Sequence, residues 1–492
     1  MIFKFRDFKM IKLSDFNKVN EYEWVLSKEF RKDMKVPVKI FSSQSLLERS
    51  FSDLSVEQAI NSSTLPGLQG SIVVMPDMHQ GYGFPIGGVA ASSISDGVVS
   101  PGGIGYDINC GVRLLSTQIP IEMAKPLLKK LAIAINQFCP SGLGSSSGIN
   151  LNENEIKKVC REGSGWAVNN GFGSKDDLLK TEDKGCLPDA DFEKISPRAL
   201  QRGIPQLGTL GSGNHFIEVD FVAEIFDSIL ANILGLQKEN LVVMIHCGSR
   251  GLGHQVCTDY VQLFQRAVIK YGIQIPDREL VCAPIESNEG KNYLAAMRAA
   301  ANYAFCNRQV LAYMVERAFE QVFAPVTKNW HLFQVYDIAH NIGKFETHLV
   351  DGKKIKVCVH RKGATRAFGP GEPELPDVYR DFGQPVLVPG SMGTSSWVLM
   401  ANHASMEKSF GSCCHGAGRL MSRQKAKKSF RGDHLIQELE NQGIQIQAGS
   451  LSGLAEEAPS AYKNVDEVIK VVVGANIAKK VAKVKPITVV KG

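Results

Sequence analysis

The sequence predicts a mixed α/β or α+β architecture in one compact unit, and three observations carry that expectation. Short β-branched runs end repeatedly in polar, glycine-rich punctuation. One long segment, 291–323, repeats apolar residues at helical spacing. No internal repeat or convincing linker divides the 492 residues, although that length alone allows roughly three domains of about 150 residues.

In chain order, the first run, 71–75, leads into Pro76-Asp77-Met78-His79 and reads as a buried strand that delivers a side chain at its C-terminal end. Residues 139–200, which open Cys139-Pro140-Ser141-Gly142-Leu143-Gly144, are the least patterned and read as long loops or a peripheral subdomain. A second strand, 241–245, runs into His246-Cys247-Gly248-Ser249-Arg250-Gly251. Within 291–323, Leu294, Met297, Ala301, Ala304 and Phe305 recur at three- and four-residue steps, with Val310 further along, as on a core helix whose small residues pack closely. A third strand, 355–359, precedes His360-Arg361-Lys362-Gly363. At the end, 486–490 is a short β-branched run suited to docking the terminus.

Composition narrows the class. Apolar residues make up 44% and charged residues 22%, close to the globular average, which excludes disordered, collagen-like and coiled-coil chains. No run approaches the roughly 18 apolar residues of a membrane span; the longest candidate, 468–478, is broken by Lys470, Gly474 and Asn476. Lys4, Arg6, Asp7, Lys9, Lys12 and Asp15 interleave the first twenty residues, leaving no apolar block for a secretory signal. A cytoplasmic protein without a membrane partner is expected. Eleven cysteines then read mostly as buried thiols in a reducing compartment. The excess of 56 basic over 50 acidic residues suits a phosphate-rich partner without requiring one. The 46 glycines exceed the usual share of about 7% and predict loops that approach a ligand closely.

Three constellations have chemical content. In 102–113, Asp107 and Cys110 sit three residues apart among glycines, able to point into one space as metal ligands do. Alone, such a pair is more often a turn carboxylate beside a buried thiol. His215, His246 and His340 occur in similarly polar, glycine-bordered or amide-bordered contexts, so the set could serve one or two divalent ions, a bridging thiolate allowing five ligands to serve two. The second constellation is Cys414-His415-Gly416-Ala417-Gly418-Arg419, followed by Arg423, Lys425, Lys427, Lys428 and Arg431. A histidine can attack phosphorus, and an arginine can hold a phosphate through two contacts. Its bland alternative is a turn before a helix with a solvated basic face. The third, 389–396, is a hydroxyl- and glycine-rich loop of a common kind. P-loop, dinucleotide and His-Glu-x-x-His motifs are absent, as is the Lys-x-Asp-Gly of ligases that charge a lysine.

Taken together, Pro76-Asp77-Met78-His79-Gln80-Gly81-Tyr82-Gly83, 102–113, 211–218, 246–253, His340-Asn341, 389–396 and 415–419 resemble the RtcB family of RNA-splicing ligases, in blocks running from about residue 70 to the C-terminus. The resemblance implies a single α+β domain over 1–492, with mixed sheets surrounded by helices and 139–200 peripheral. It implies two Mn(II) ions and GTP, and the sealing of an RNA 3′-phosphate or 2′,3′-cyclic phosphate to a 5′-hydroxyl, in tRNA splicing or RNA repair. By matching motif, Cys110 would bridge the metals, Asp107 and His340 completing one position and His215 and His246 the other. His415 would take GMP from GTP, with Asp77 and Arg419 near the reacting phosphates. The nucleotide contacts would be Asn214, His215, Phe216, Ile217, Glu218, His340, Asn341, Pro389, Gly390, Ser391, Met392, Ser396, His415, Gly416, Ala417, Gly418, Tyr462 and Lys491. RNA, as tRNA halves or broken RNA, and an archease-like activating protein are the implied partners. The rival readings are a dinuclear metal phosphodiesterase acting on RNA ends and a basic RNA-binding protein with structural metals.

Overall fold

Leu241-Val242-Val243-Met244-Ile245 is apolar at every position because both of its faces are covered. Leu241, Val243 and Ile245 enter one core with Leu311, Val315 and Phe319 of a long helix, while Val242 and Met244 enter a second with Leu234, Tyr379 and Leu387. The computed structural model containing this strand describes residues 11–142, 144–149 and 151–492. Lys4, Arg6, Asp7 and Lys9, and Leu143 of the glycine-serine stretch, lie outside the described residues.

The strands that build the site are, in chain order, β1 (Leu68–His79), β2 (Gly111–Pro120), β3 (Phe216–Ile225), β4 (Asn240–Cys247), β5 (Phe333–Ala339), β6 (Asn341–Val350), β7 (Lys353–Lys362) and β8 (Ala478–Lys491). One mixed sheet runs β5-β2-β4-β3-β8 and continues through Ser396–Ala401 to Pro385–Val388, with Gln445–Ala448 added parallel to β8. A second sheet places β1 beside Ile86–Ser93, then β7 and β6, with three short N-terminal strands beyond β1. The β6–β7 hairpin pairs without a break from Asn341↔Lys362 to Val350↔Lys353, closed by Asp351 and Gly352 at φ 49° and 76°, the left-handed pair a two-residue hairpin turn requires. The helices are α1 (Arg250–Lys270) and α2 (Asn288–Phe323), the latter capped by Ser287, with shorter helices around the sheets. The fold is therefore a single-domain assembly of mixed sheets and helices.

Two expectations need correction. The strand expected at 71–75 continues to His79, so the Pro76–His79 motif lies inside it. Pro76 has no N–H to give the ladder, and the pairing with Ile86–Ser93 shifts between Val74 and His79; the backbone stays extended while Asp77 turns inward. The stretch 139–200 is only partly loop. It contains helices Glu153–Glu162, Ser164–Asn169 and Lys175–Leu179 and the start of Pro197–Gly203, and the first two pack against α2 through Ile156, Val159 and Trp166.

Candidate functional site

Four neighbouring strands carry the metal-type residues to one end of the sheet. Cys110 immediately precedes β2, His215 immediately precedes β3, His246 sits near the end of β4, and His340 separates β5 from β6. Register fixes their convergence, since Val112 pairs with His246, Phe216 with His246, and Ala339 with Gly111. The turn bearing Asp107 and Cys110 is tied to its neighbour by Asn109 N–H to Asn341 O (2.7 Å), His340 N–H to Cys110 O (2.8 Å) and Asn341 Nδ2 to Asp107 O (3.1 Å). Asn109 adopts φ 53°, a left-handed conformation asparagine tolerates. Behind it, the buried Arg308 guanidinium donates to Asn109 O (2.7 Å) and Cys247 O (3.0 Å) and is neutralised by Asp337, which also holds Arg113.

The five residues form two triads that share Cys110: Asp107, Cys110 and His215, and Cys110, His246 and His340. The division implied by the resemblance, Asp107 with His340 and His215 with His246, is not the one seen. Instead His215 Nε2 lies 2.7 Å from Asp107 Oδ2, and His246 Nε2 lies 3.3 Å from His340 Nε2. Cys110 Sγ lies 3.2 Å from His246 Nε2 and 3.5 Å from His215 Nε2. Burial, with the neighbouring histidines, lowers His246 and His340 well below the ordinary imidazole range, so both rings are neutral. Burial and Asp107 push the Cys110 thiol up to about 12. The donor set fits divalent cations: a thiol, a carboxylate and three imidazoles converge, and His215 Nδ1 contacts Leu210 O at 3.0 Å, the outer contact that aims Nε2 inward. A cation would displace the thiol proton on binding.

Beside this cluster, His415 follows a short ladder in which Ala364–Arg366 pairs with Ser412–Cys414. Its ring is 4.8 Å from that of His340. Its Nδ1 is 2.7 Å from Asp77 Oδ2, an oxygen that also accepts from the backbone N–H of His415 (3.1 Å) and of Gly416 (3.3 Å). Because the fully buried carboxylate only accepts, the ring proton belongs on Nδ1 and the lone pair on Nε2. The loop packs tightly here: a Cβ on Gly418 would lie 2.0 Å from Asp77 O.

A cleft opens from His415 and is lined by His246 and His340 and by most of the expected nucleotide contacts: Asn214, Phe216, Glu218, Asn341, Pro389, Gly390, Ser391, Met392, Gly416, Ala417, Gly418, Tyr462 and Lys491. Three expected contacts do not line it. Ile217 points to the opposite face of β3, into the core with Val243 and Ile245. Ser396 is buried and its Oγ accepts from Gly390 N (3.0 Å), shaping the loop from behind. His215 faces Asp107. Arg419 reaches the cleft, but its guanidinium is engaged by Glu457 (3.2 Å), Tyr462 Oη (3.0 Å), Glu456 O (2.6 Å) and Met421 O (3.1 Å). Lys491 is 3% exposed, with Nζ 3.8 Å from Glu457 and 5.3 Å from the Phe216 ring centre. Burial lowers its pKa despite Glu457 and Glu218, while burial and Asp220 raise Glu218 well above the carboxylate range. His79, Gly363, Arg423 and Glu457 also line the cleft, although none of them is among the expected nucleotide contacts. His79 has a sequence signal in the Pro76–Gly83 block and Arg423 one in the basic run after Arg419, whereas Gly363 and Glu457 have none as ligand contacts.

Comparison with known proteins fits this arrangement. A family model described as tRNA-splicing ligase RtcB matches residues 58–492. Relatives named tRNA-splicing ligase RtcB include one from Archaeoglobus fulgidus, 52% identical over 96% of this chain and 98% of its own length. One from Thermococcus kodakarensis is 50% identical over the same shares, and one from Pyrobaculum aerophilum is 47% identical over 97% and 99%. A match across nearly the whole of each chain leaves one conclusion: this chain belongs to the RtcB family of tRNA-splicing ligases and is an enzyme.

Proposed function

We propose that this protein is a GTP- and Mn(II)-dependent RNA ligase. It would join RNA 3′-phosphate or 2′,3′-cyclic phosphate ends to 5′-hydroxyl ends, on tRNA halves or broken RNA, in the cytoplasm. The observation that carries this reading is the Asp77–His415 contact, which gives the histidine a free Nε2 in a cleft bordered by the Cys110 cluster. Nε2 attacks the α-phosphorus of GTP, forming a nitrogen–phosphorus bond as pyrophosphate leaves. Asp77 holds the ring and stabilises the charge it acquires. Two Mn(II) ions held by Asp107, Cys110, His215, His246 and His340 would supply Lewis-acid stabilisation of the phosphate oxygens. The GMP then passes from His415 to the RNA 3′-phosphate, and the 5′-hydroxyl oxygen displaces GMP from that activated phosphorus.

Lys491 donates hydrogen bonds and cannot accept them, so it suits guanine O6; Glu218, held protonated by burial and Asp220 in the free protein, would give up its proton to accept from the N1 and N2 donors. Arg419, held by Glu457, Tyr462, Glu456 O and Met421 O, supports the cleft wall rather than a phosphate. On helix Arg423–Ser429, Lys427 pairs with Glu456 while Lys425 and Lys428 face solvent, where they would contact RNA phosphates without reading sequence. An archease-like protein is included as an activating partner.

The test is incubation with α-labelled GTP and manganese, followed by a search for an acid-labile, base-stable label on the chain. A protein that opens cyclic phosphates but never takes the label is the phosphodiesterase instead.

A further inference from the structure

Lys463 is 6% exposed, and among the described residues no carboxylate lies within ion-pair distance of it. Its ammonium is used differently. Nζ donates to Pro76 O (3.2 Å) and to Met78 O, the two carbonyls that flank Asp77. Its own backbone N–H donates to Gly418 O (2.9 Å), in the loop that carries His415. One residue therefore grips both halves of the Asp77–His415 pair. The strand needs such a grip, because its ladder with Ile86–Ser93 is interrupted between Val74 and His79, where Pro76 cannot donate. The buried positive charge also stands close to the buried Asp77 carboxylate, whose Oδ1 has no hydrogen-bond partner.

We infer that Lys463 is a positioning residue that holds Asp77 against His415 Nδ1 and so keeps the nucleophilic nitrogen of His415 free. The inference rests on the proposed role of His415 as nucleophile, and it acts through Asp77 without touching nucleotide.

The experiment compares the full-length protein with Lys463→Met, which keeps the stem and removes the donors. Isotopically labelled histidine nitrogens report the His415 tautomer without any nucleotide, the signal being assigned by its absence in His415→Ala. The native protein is expected to show a protonated Nδ1 and a bare Nε2, and Lys463→Met a mixture of tautomers. In parallel, single-turnover labelling by GTP at saturation is expected to fall about tenfold to a hundredfold, the cost of a misplaced reacting group. Half-saturating GTP and manganese content should stay unchanged, a separation that general loosening of the cleft would not produce. A native tautomer signal and a native rate in Lys463→Met overturn the inference, as does a loss confined to GTP affinity. Should Lys463→Met fail to fold, Lys463→Gln, which can still reach one carbonyl, is judged by the same two readouts. If the native protein takes no label from GTP, the ligase reading falls, and the histidine spectrum still decides the place of Lys463.

Discussion

One buried carboxylate decides what His415 can do. An imidazole free to flip would present either nitrogen to the cleft, whereas Asp77 at 2.7 Å places the proton on Nδ1. His415→Ala is therefore expected to abolish the GMP label while metal content, measured by elemental analysis, stays native, because a nucleophile is lost and no ligand is. A label found on another residue of that variant would reassign the nucleophile. Cys110 belongs to both triads, so Cys110→Ser should lower occupancy of both metal positions together, whereas His246→Ala, present in one triad, should empty only one. A single ion lost from Cys110→Ser would remove the shared thiolate. The same thiol sets a pH dependence: with its pKa at about 12, its proton must leave on metal binding, so calorimetric affinity should rise between pH 6 and 8, by up to about tenfold per unit for one displaced proton. These residues were legible as chemistry-bearing types between glycines. Their division into Asp107–Cys110–His215 and Cys110–His246–His340 was not, because it depends on which ring faces which across strands 94 or more residues apart.

Among the elements, the strands were readable where a β-branched run is buried on both faces, as in β4. They were misread at their ends, where Pro76 breaks a ladder without ending the extended chain. Helices such as Ser164–Asn169 were hidden because six residues are too few to show a period. Glu457, which engages Arg419, was invisible for another reason: nothing at a separation of 38 residues announces an ion pair. The β6–β7 hairpin carries a similar hidden contact. Glu346 accepts from Arg361 Nη1 (2.6 Å) and Nη2 (2.8 Å) and lies 2.9 Å from His348 Nε2, all three being buried. Burial alone would raise its pKa, but Arg361 and His348 outweigh it and hold the carboxyl at about 2 against an ordinary 4.5. A depressed folded pKa means stability that is fully present above pH 4.5 and lost as pH falls toward 2. Glu346→Gln should cost about 3–5 kcal/mol at neutral pH, since Arg361 is left buried without its partner. In urea titrations the gap between native and variant proteins should narrow steadily across that acid window. A constant gap would mean that Glu346 contributes through packing rather than charge.

For the molecule as a whole, the decisive feature is that β8 is an inner strand. It pairs with β3 on one side and with Ser396–Ala401 and Gln445–Ala448 on the other, so the larger sheet cannot close without residues 478–491. Terminal residues usually fray and tolerate loss, and the short run at 486–490 suggests no more than a docked tail. Here Lys491 pairs with Phe216, its carbonyl accepts from Gly449 N–H (2.9 Å), and its side chain enters the cleft beside Glu457 and Glu218. Two truncations separate the scaffold from the site. Removing 478–492 deletes the strand between β3 and Ser396–Ala401 and should leave no cooperative unfolding transition. Removing only Lys491 and Gly492 keeps nearly all of the ladder, so metal content should stay native and the thermal midpoint should fall only slightly. That shorter deletion should nevertheless raise the GTP concentration needed for labelling and narrow the preference for GTP over ATP by about 1–3 kcal/mol, the scale of one lost charge-assisted hydrogen bond. The reason is chemical: adenine presents an amino group where guanine presents O6, and only an accepting O6 gains from the ammonium. If the shorter protein is labelled at native GTP concentrations and rejects ATP as strongly, Lys491 does not read the base, and Glu218 must carry that selection alone.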